Sequence, residues 1–443
     1  MKLLFVLLSL VFTAVRAAQN YQFIHVSDIH YSASVNSLLY NATTSCIEPS
    51  SLSTESDHHE HDQILLKSKK FSSPTSGLFG RYGCDTNDVL LDEVMKQMTM
   101  AQPNPDFIIY TGDGAGHSLP VGPWQESQST LAKQFLNSYP NTQIIPTIGN
   151  NDVFPDYNSQ CGDNNLAFLY SIWSQWIPQD QTSSFQYRGS FSISPVPGLV
   201  VISLNTVLYS TKNKNVFSTP NDPCGQFGWL EQQLQSAQQN GDSVYIIGHI
   251  FPGLDPFYLS ATWNSQYQTS FFNITTAYKS IINGGFFGHI HRDEIRAIQY
   301  ANPSQDYFPM FIGSSVTPVY FNNPSFKVFT YSPNTNVVAD YSAFFADVYI
   351  SNLQGFMNWT KEYDFTKTFG ISSQANGING QVLNTLNYNM QFSNILFNTY
   401  DNFRSASYLA DATITHCLNN AATVEELNAC SDMSQTVAQI ATK

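Results

Sequence analysis

The sequence predicts an α/β domain whose strands deliver polar residues at their carboxyl ends, followed by a helical C-terminal segment. Three observations carry this. Short apolar runs recur at residues 23–26, 107–111, 143–148, 199–204, 244–247 and 285–287, each bounded by polar or glycine-rich turns. Helix-patterned stretches separate several of them, the alternation expected of βαβ units. Five of the runs end in short cassettes: S-D-I-H (Ser27 to His30), G-D-G (Gly112 to Gly114), G-N-N-D (Gly149 to Asp152), G-H (Gly248, His249) and G-H-I-H (Gly288 to His291). The carboxyl ends of strands are where ligands of α/β sheets gather.

The elements follow in order. Residues 23–26 form the first strand, and a long polar loop runs from there to about Cys84, well beyond the usual length of a connection. Asp85 or Thr86 is placed to cap a helix through Met100, in which Val89, Leu90, Val94 and Met98 recur at helical spacing. Pro103 and Pro105 end it. Residues 107–111 then deliver Gly112-Asp113. A helix around residues 131–136 precedes the strand at 143–148, which delivers Gly149-Asn150. The next strand, residues 199–204, ends at Asn205. Trp229, Leu230, Leu234 and Ala237 mark an amphipathic helix stopped by Asn240-Gly241. From about Ser342 the cassettes cease. Residues 405–441 show helical periodicity, and the Asn-rich stretch at 375–389 reads as a polar connection. The expected organisation is a signal peptide at 1–18, a catalytic domain at 19–341 and a mainly helical subdomain at 342–443.

Composition narrows the classes. At 443 residues with 42% hydrophobic content, the chain can bury a sizeable core. A net charge of −14 argues against a nucleic-acid polymer or an anionic membrane as the main partner, leaving at most peripheral membrane contact. Lys2, an apolar run from Leu3 to Val15 and then Arg16-Ala17-Ala18 read as a secretory signal, too short to span a bilayer. The expected location is therefore secreted or lysosomal. Six cysteines in such a chain read as disulfides, with Cys417–Cys430 and Cys46–Cys84 the local pairings. Sequons at Asn41, Asn273 and Asn358 agree with a glycoprotein.

The cassettes together supply Asp28, His30, Asp113, Asn150, His249, His289 and His291. These oxygen and imidazole donors suffice for two divalent ions sharing one carboxylate, with Asp113 the natural bridge. Asp-x-His and His-x-His each turn two side chains to the same side of an extended segment. A water held between two such metals would be deprotonated near neutral pH and could attack phosphorus in line. G-D and G-H occur by chance in most proteins; the ordered set, each member after an apolar strand, is what carries the reading. His58, His59 and His61 read as a solvated loop, His25 as a packed strand residue and His416 as structural. Tyr31, directly after D-I-H, is a candidate substrate contact. No serine or cysteine nucleophile scheme finds support.

D-I-H, G-D, G-N, G-H and G-H-I-H in this order resemble the calcineurin-like metallophosphoesterase superfamily. The segments Q-F-G-W-L-E-Q-Q-L (Gln226 to Leu234), G-H-I-F-P-G (Gly248 to Gly253), G-H-I-H-R-D-E (Gly288 to Glu294) and S-S-V-T-P-V-Y-F-N-N-P-S-F (Ser314 to Phe326) are similar to acid sphingomyelinase-like phosphodiesterases. The resemblance implies a four-layer αββα sandwich, two zinc ions and phosphodiester cleavage. It implies one zinc on Asp28, His30, Asp113 and His291, and the other on Asp113, Asn150, His249 and His289. The implied substrate is either sphingomyelin, cleaved to ceramide and phosphocholine, or a soluble nucleotide-type phosphodiester. The first strand follows the signal almost directly, without the saposin-type domain of true acid sphingomyelinases, as in the shorter relatives.

One departure bears on chemistry. The family pattern is G-N-H-[DE], and Asn151 stands where the proton-donating histidine is expected. His117, four residues after Asp113 and matching another active-site histidine of the family, is the remaining candidate proton donor, with Asn151 expected only to hydrogen-bond a substrate oxygen. The alternative is a catalytically weakened protein that binds a phosphorylated ligand or lipid. A purple acid phosphatase is disfavoured because Gly116 occupies the position of that class's tyrosine ligand.

Overall fold

The computed structural model describes residues 21–35, 46, 77–372, 377–404, 417 and 419–430. The expected signal peptide, Asn41, His58, His59, His61 and His416 lie outside them. Among the described residues, twelve strands form two six-stranded mixed sheets. The strands are β1 (Gln22–Val26), β2 (Phe107–Tyr110), β3 (Gln143–Pro146), β4 (Phe191–Val196), β5 (Leu199–Ser203), β6 (Ser243–Ile247), β7 (Ile282–Phe287), β8 (Glu294–Gln299), β9 (Tyr307–Ile312), β10 (Ser325–Tyr331), β11 (Val338–Ala346) and β12 (Trp359–Asp364). The first sheet runs β12-β11-β10-β1-β2-β3 and the second β4-β5-β6-β7-β9-β8.

The first sheet is parallel over one half and antiparallel over the other, whereas the second has a parallel centre and antiparallel ends. β1, β2 and β3 are parallel, as are β5, β6, β7 and β9. β10, β11 and β12 extend the first sheet antiparallel, and β4 and β8 close the ends of the second. The parallel strands are the ones legible as continuous apolar runs, since both their faces are covered. An aromatic layer joins the sheets. Phe23 of β1 stacks on Phe107 and Phe329 and meets Phe286 of β7 edge-on at 5.3 Å. Phe311 of β9 meets Phe329 edge-on at 5.4 Å. All five rings are buried, each contributing about 1.5–3 kcal/mol by leaving water.

Helices α1 (Asp88–Ala101), α2 (Val121–Ser138), α3 (Asn164–Trp173), α4 (Thr182–Arg188), α5 (Gln226–Asn240) and α6 (Ser265–Ala277) connect the strands. Asn87, rather than Asp85 or Thr86, caps α1 by accepting from Leu90 N. Gly241 ends α5 in the left-handed region, as the sequence indicates. After β11 come α7 (Val348–Gln354), α8 (Phe365–Thr368), α9 (Gly380–Met390) and α10 (Asn394–Arg404).

The expected division after residue 341 falls inside β11, which pairs with β10 on one side and β12 on the other. The region beyond it thus supplies two strands to the first sheet as well as helices. Residues 380–390, read from sequence as a polar connection, are helical. Asn379 caps this helix through Val382 N, and Leu383, Leu386 and Met390 bury one side, with α9 packed on β8 and β9. Three disulfides, Cys46–Cys84, Cys161–Cys224 and Cys417–Cys430, include both pairings expected from sequence. Asn273 and Asn358 are exposed. No helix of the described residues is long and apolar enough to cross a membrane.

Candidate metal centre

All seven donor residues converge where the carboxyl ends of the two sheets meet. Asp28 and His30 follow β1, Asp113 follows β2 and Asn150 follows β3; His249 follows β6, and His289 and His291 follow β7. Five of them, Asp28 (φ 50°), His30 (44°), Asp113 (56°), His289 (82°) and His291 (55°), hold the left-handed backbone region that non-glycine residues rarely occupy. Such conformations persist only where surrounding contacts over-determine them. Here the loops are laced together: Asp28 N donates to Gly112 O at 3.0 Å, His30 N to Asp113 O at 2.9 Å, and Gly288 N to His249 O at 2.9 Å. Glycine precedes several donors for want of space. A Cβ on Gly112, itself at φ 88°, would lie 2.7 Å from Gly149 N.

Asp152, the last member of G-N-N-D, is the hub of this lacing. Its buried carboxylate accepts from the backbone N of Asp113 and Gly114, both at 2.7 Å, from Gly149 N at 2.8 Å and from Gln128 Nε2 at 2.5 Å. It ties the loop after β2 to the loop after β3.

The donor atoms form two groups sharing one oxygen. Asp113 Oδ2 lies 3.4 Å from His30 Nε2 and 3.1 Å from His249 Nε2. Around His30, Nε2 of His291 is at 3.2 Å, and Asp28 Oδ1 is 3.3 Å from His291 Nε2. Around His249, Asn150 Oδ1 is at 3.1 Å and the His289 ring at 5.1 Å between centroids. Second hydrogen bonds orient two of the imidazoles: His30 Nδ1 faces Ala115 O at 3.2 Å and His249 Nδ1 faces Thr111 O at 2.7 Å. With those nitrogens donating, both Nε2 atoms face the cluster.

The electrostatics fit a cation-binding pocket. Burial alone would pull His30 and His249 down, but the carboxylates of Asp28 and Asp113 outweigh it and lift both to about 9. Burial, followed by the charge of His249 for the one and His30 for the other, holds His289 and His291 well below the usual imidazole range. Burial would raise Asp113, yet His249 and His30 hold it well below the usual carboxylate range. Two imidazoles thus favour a positive charge at the two points where dications would sit, while two stay neutral. His291 Nδ1 has no hydrogen-bond partner although buried. A mixed set of carboxylate, amide oxygen and imidazole, buried and largely prealigned, fits two divalent ions.

His117 stacks on His30, ring centroids 4.0 Å apart and planes within 12°. Its Nδ1 is 2.8 Å from Asp85 Oδ1, and its backbone N donates to Asp85 Oδ2 at 2.7 Å. The sequence offers Asp85 or Thr86 as a helix cap and gives no sign of this contact; His117 and Asp85 are 32 positions apart and no local pattern joins them. Asn151 is turned onto Asp113, donating its Nδ2 to Oδ2 at 2.8 Å and its backbone N to Oδ1 at 2.7 Å. Tyr31 points away, its hydroxyl donating to Asp88 Oδ1 at 2.5 Å. His25 is buried in β1 with Nε2 3.0 Å from Thr111 Oγ1, the packed position expected of it.

A cluster of carboxylate, amide and imidazole groups that could hold two cations, at the mouth of two facing sheets, is the kind of site a dimetal phosphoesterase uses. The model of the calcineurin-like phosphoesterase family matches residues 21–293, and that of the acid sphingomyelin phosphodiesterase C-terminal region matches residues 306–424. The chain belongs to this family, among the acid sphingomyelinase-like phosphodiesterases, and is a metal-dependent phosphodiesterase. It is 62% identical over 441 residues to sphingomyelinase phosphodiesterase D of Dictyostelium discoideum, covering 99% of this chain and 100% of that one. Acid sphingomyelinase-like phosphodiesterase 3b of Homo sapiens is 30% identical over 317 residues, 67% of this chain and 69% of that protein. Cyclic GMP-AMP phosphodiesterase SMPDL3A of Rattus norvegicus is 28% identical over 399 residues, 86% of this chain and 85% of that protein.

Proposed function

We propose that this chain is a secreted or lysosomal two-zinc phosphodiesterase acting on sphingomyelin or a soluble nucleotide-type phosphodiester. The observation that carries the two-metal reading is Asp113 Oδ2, which lies 3.4 and 3.1 Å from the Nε2 atoms of His30 and His249. Asp28, His30, Asp113 and His291 would hold one ion, and Asp113, Asn150, His249 and His289 the other. Imidazole-rich donor sets with few carboxylates favour zinc over magnesium or calcium. Two such ions supply Lewis-acid polarisation of the phosphoryl oxygens and a water acidified for in-line attack.

The residues around the ions do the rest. The buried carboxylates of Asp28 and Asp113 set the charge of the pocket, and Asp152 holds the loops that carry Asp113 and Asn150. His117 delivers a proton to the leaving oxygen from its Nε2, while Asp85 accepts from Nδ1 and fixes the ring. The stack on His30 sets the plane of that ring. Asn151 has no proton to give and instead braces Asp113. The relatives' names supply the two substrate classes, since one is named for sphingomyelin and another for cyclic GMP-AMP. The test compares bis(p-nitrophenyl) phosphate, sphingomyelin and CDP-choline at pH 5 and 7, with added zinc and with chelator. Turnover abolished by chelator supports the reading. Binding without turnover of any of the three supports the weakened-protein alternative instead.

A further inference from the structure

The rim of the site on the second-sheet side carries a cation that the reaction as described does not use. Lys212, in the loop after β5, holds its Nζ 3.3 Å from the Tyr157 hydroxyl. The same Nζ is 5.1 Å from the Tyr157 ring centroid and 5.7 Å from that of Tyr258. Tyr157 stands edge-on to His289, with centroids 6.3 Å apart. Lys212 is thus one aromatic ring removed from the donors of the second ion. The neighbouring Asp255 carboxylate turns to the backbone, accepting from Phe257 N and Tyr258 N at 2.8 and 3.3 Å. Among the described residues no carboxylate lies within ion-pair distance of Lys212, although its charge acts on Asp255 from farther off.

Two tyrosine faces are the surface on which a quaternary ammonium would rest. Here an exposed lysine of the chain itself already occupies that surface. A substrate with a cationic head group must displace a like charge, whereas one with a second anionic group gains an ion pair. The geometry points to Lys212 as a specificity-determining residue that favours phosphodiesters bearing a second anionic group over those bearing a quaternary ammonium. This inference rests on the phosphodiesterase reading above and narrows its substrate class.

Three substrates with the same nitrophenolate leaving group test it. Thymidine 5′-(p-nitrophenyl phosphate) is the reference, its 3′-phosphorylated form adds an anion, and p-nitrophenyl phosphorylcholine replaces the nucleoside by a choline cation. In the wild type, kcat/KM should be higher for the 3′-phosphorylated substrate than for the reference. Lys212→Met should lower that ratio by roughly 2- to 5-fold, as for a solvent-exposed ion pair. It should also raise the phosphorylcholine-to-reference ratio. Lys212→Arg should retain the wild-type preference, Lys212→Glu should reverse it, and added salt should shrink it. Lys214→Met, whose ammonium bonds Thr211 O instead, should leave the ratios unchanged. Wild-type turnover with ratios that ignore Lys212→Met and Lys212→Glu overturns the role of Lys212 but leaves the diesterase reading standing. No wild-type turnover of any of the three overturns both.

Discussion

Replacing Asp85 by Asn separates the proposed proton donor, His117, from the proposed metal half of the site. The Asp85 carboxylate is fully buried and holds His117 twice, at Nδ1 (2.8 Å) and at the backbone N (2.7 Å), while His117 itself is 23% exposed. An amide can accept only one of these bonds, so the imidazole loses its orientation while the seven proposed metal donors keep theirs. A hydrogen bond to a charged partner is worth about 1.5–3 kcal/mol. The partial exposure of His117 favours the lower end, a loss of about 10- to 30-fold in kcat. That loss belongs to substrates with alkoxide leaving groups, which need a proton. Nitrophenolate leaves without help, so bis(p-nitrophenyl) phosphate should lose less than about threefold.

The assay is steady-state kcat on paired alkyl and p-nitrophenyl diesters, with bound metal and urea unfolding measured on the same samples. His117→Ala should cost roughly 10²–10⁴-fold on the alkyl diester. Adding Asp85→Asn to it should cost nothing further, because the two residues act as one unit. Equal losses on both diesters, or additive losses in the double variant, would refute a role for Asp85 through His117.

Other perturbations read other parts of the molecule. Asn151→His should raise turnover of alkyl diesters relative to nitrophenyl diesters by restoring a second acid; an unchanged ratio would contradict that role for the position. Arg404→Met should destabilise the fold by about 1–3 kcal/mol in urea unfolding, because Glu294 loses one of its two buried cations. Arg404 Nη1 pairs with the buried Glu294 Oε1 at 3.1 Å, and Arg296 Nη2 holds the other oxygen at 2.7 Å. Partial desolvation and the charge of Asp113 push Asp156, which is solvent-exposed beside the site, up to about 6. Above that pH it is charged, so KM for anionic diesters should rise between pH 5 and 7, and Asp156→Asn should flatten that part of the profile.

What the sequence revealed and what it hid follow from burial geometry. β1, β2, β3, β6 and β7 are parallel and covered on both faces, so they read as plain apolar runs, and their ends place every metal-donor candidate. β10, β11 and β12 escaped because polar residues interrupt them. Lys327 of β10 is buried only by pairing with Asp293, whose other oxygen takes the Tyr363 hydroxyl of β12. No local pattern reveals a lysine neutralised by a partner 34 residues away. The helix at Gly380–Met390 was hidden by its asparagines, although its apolar residues keep helical spacing. Asp85 was misread because an acidic residue just before a helix suggests a cap; Asn87 takes that position, leaving Asp85 to His117.

The two-metal centre is tested most directly by elemental analysis of the purified protein alongside its Asp113→Asn variant, with turnover of bis(p-nitrophenyl) phosphate followed on both. Asp113 Oδ2 is the oxygen common to both donor groups. The wild type should carry two zinc ions per chain and lose turnover on chelation, and Asp113→Asn should retain no more than one ion and lose activity by about 10³-fold or more, the scale of a lost electrostatic stabiliser. Two ions retained in Asp113→Asn, or wild-type turnover indifferent to chelator, would contradict a centre built on that shared carboxylate.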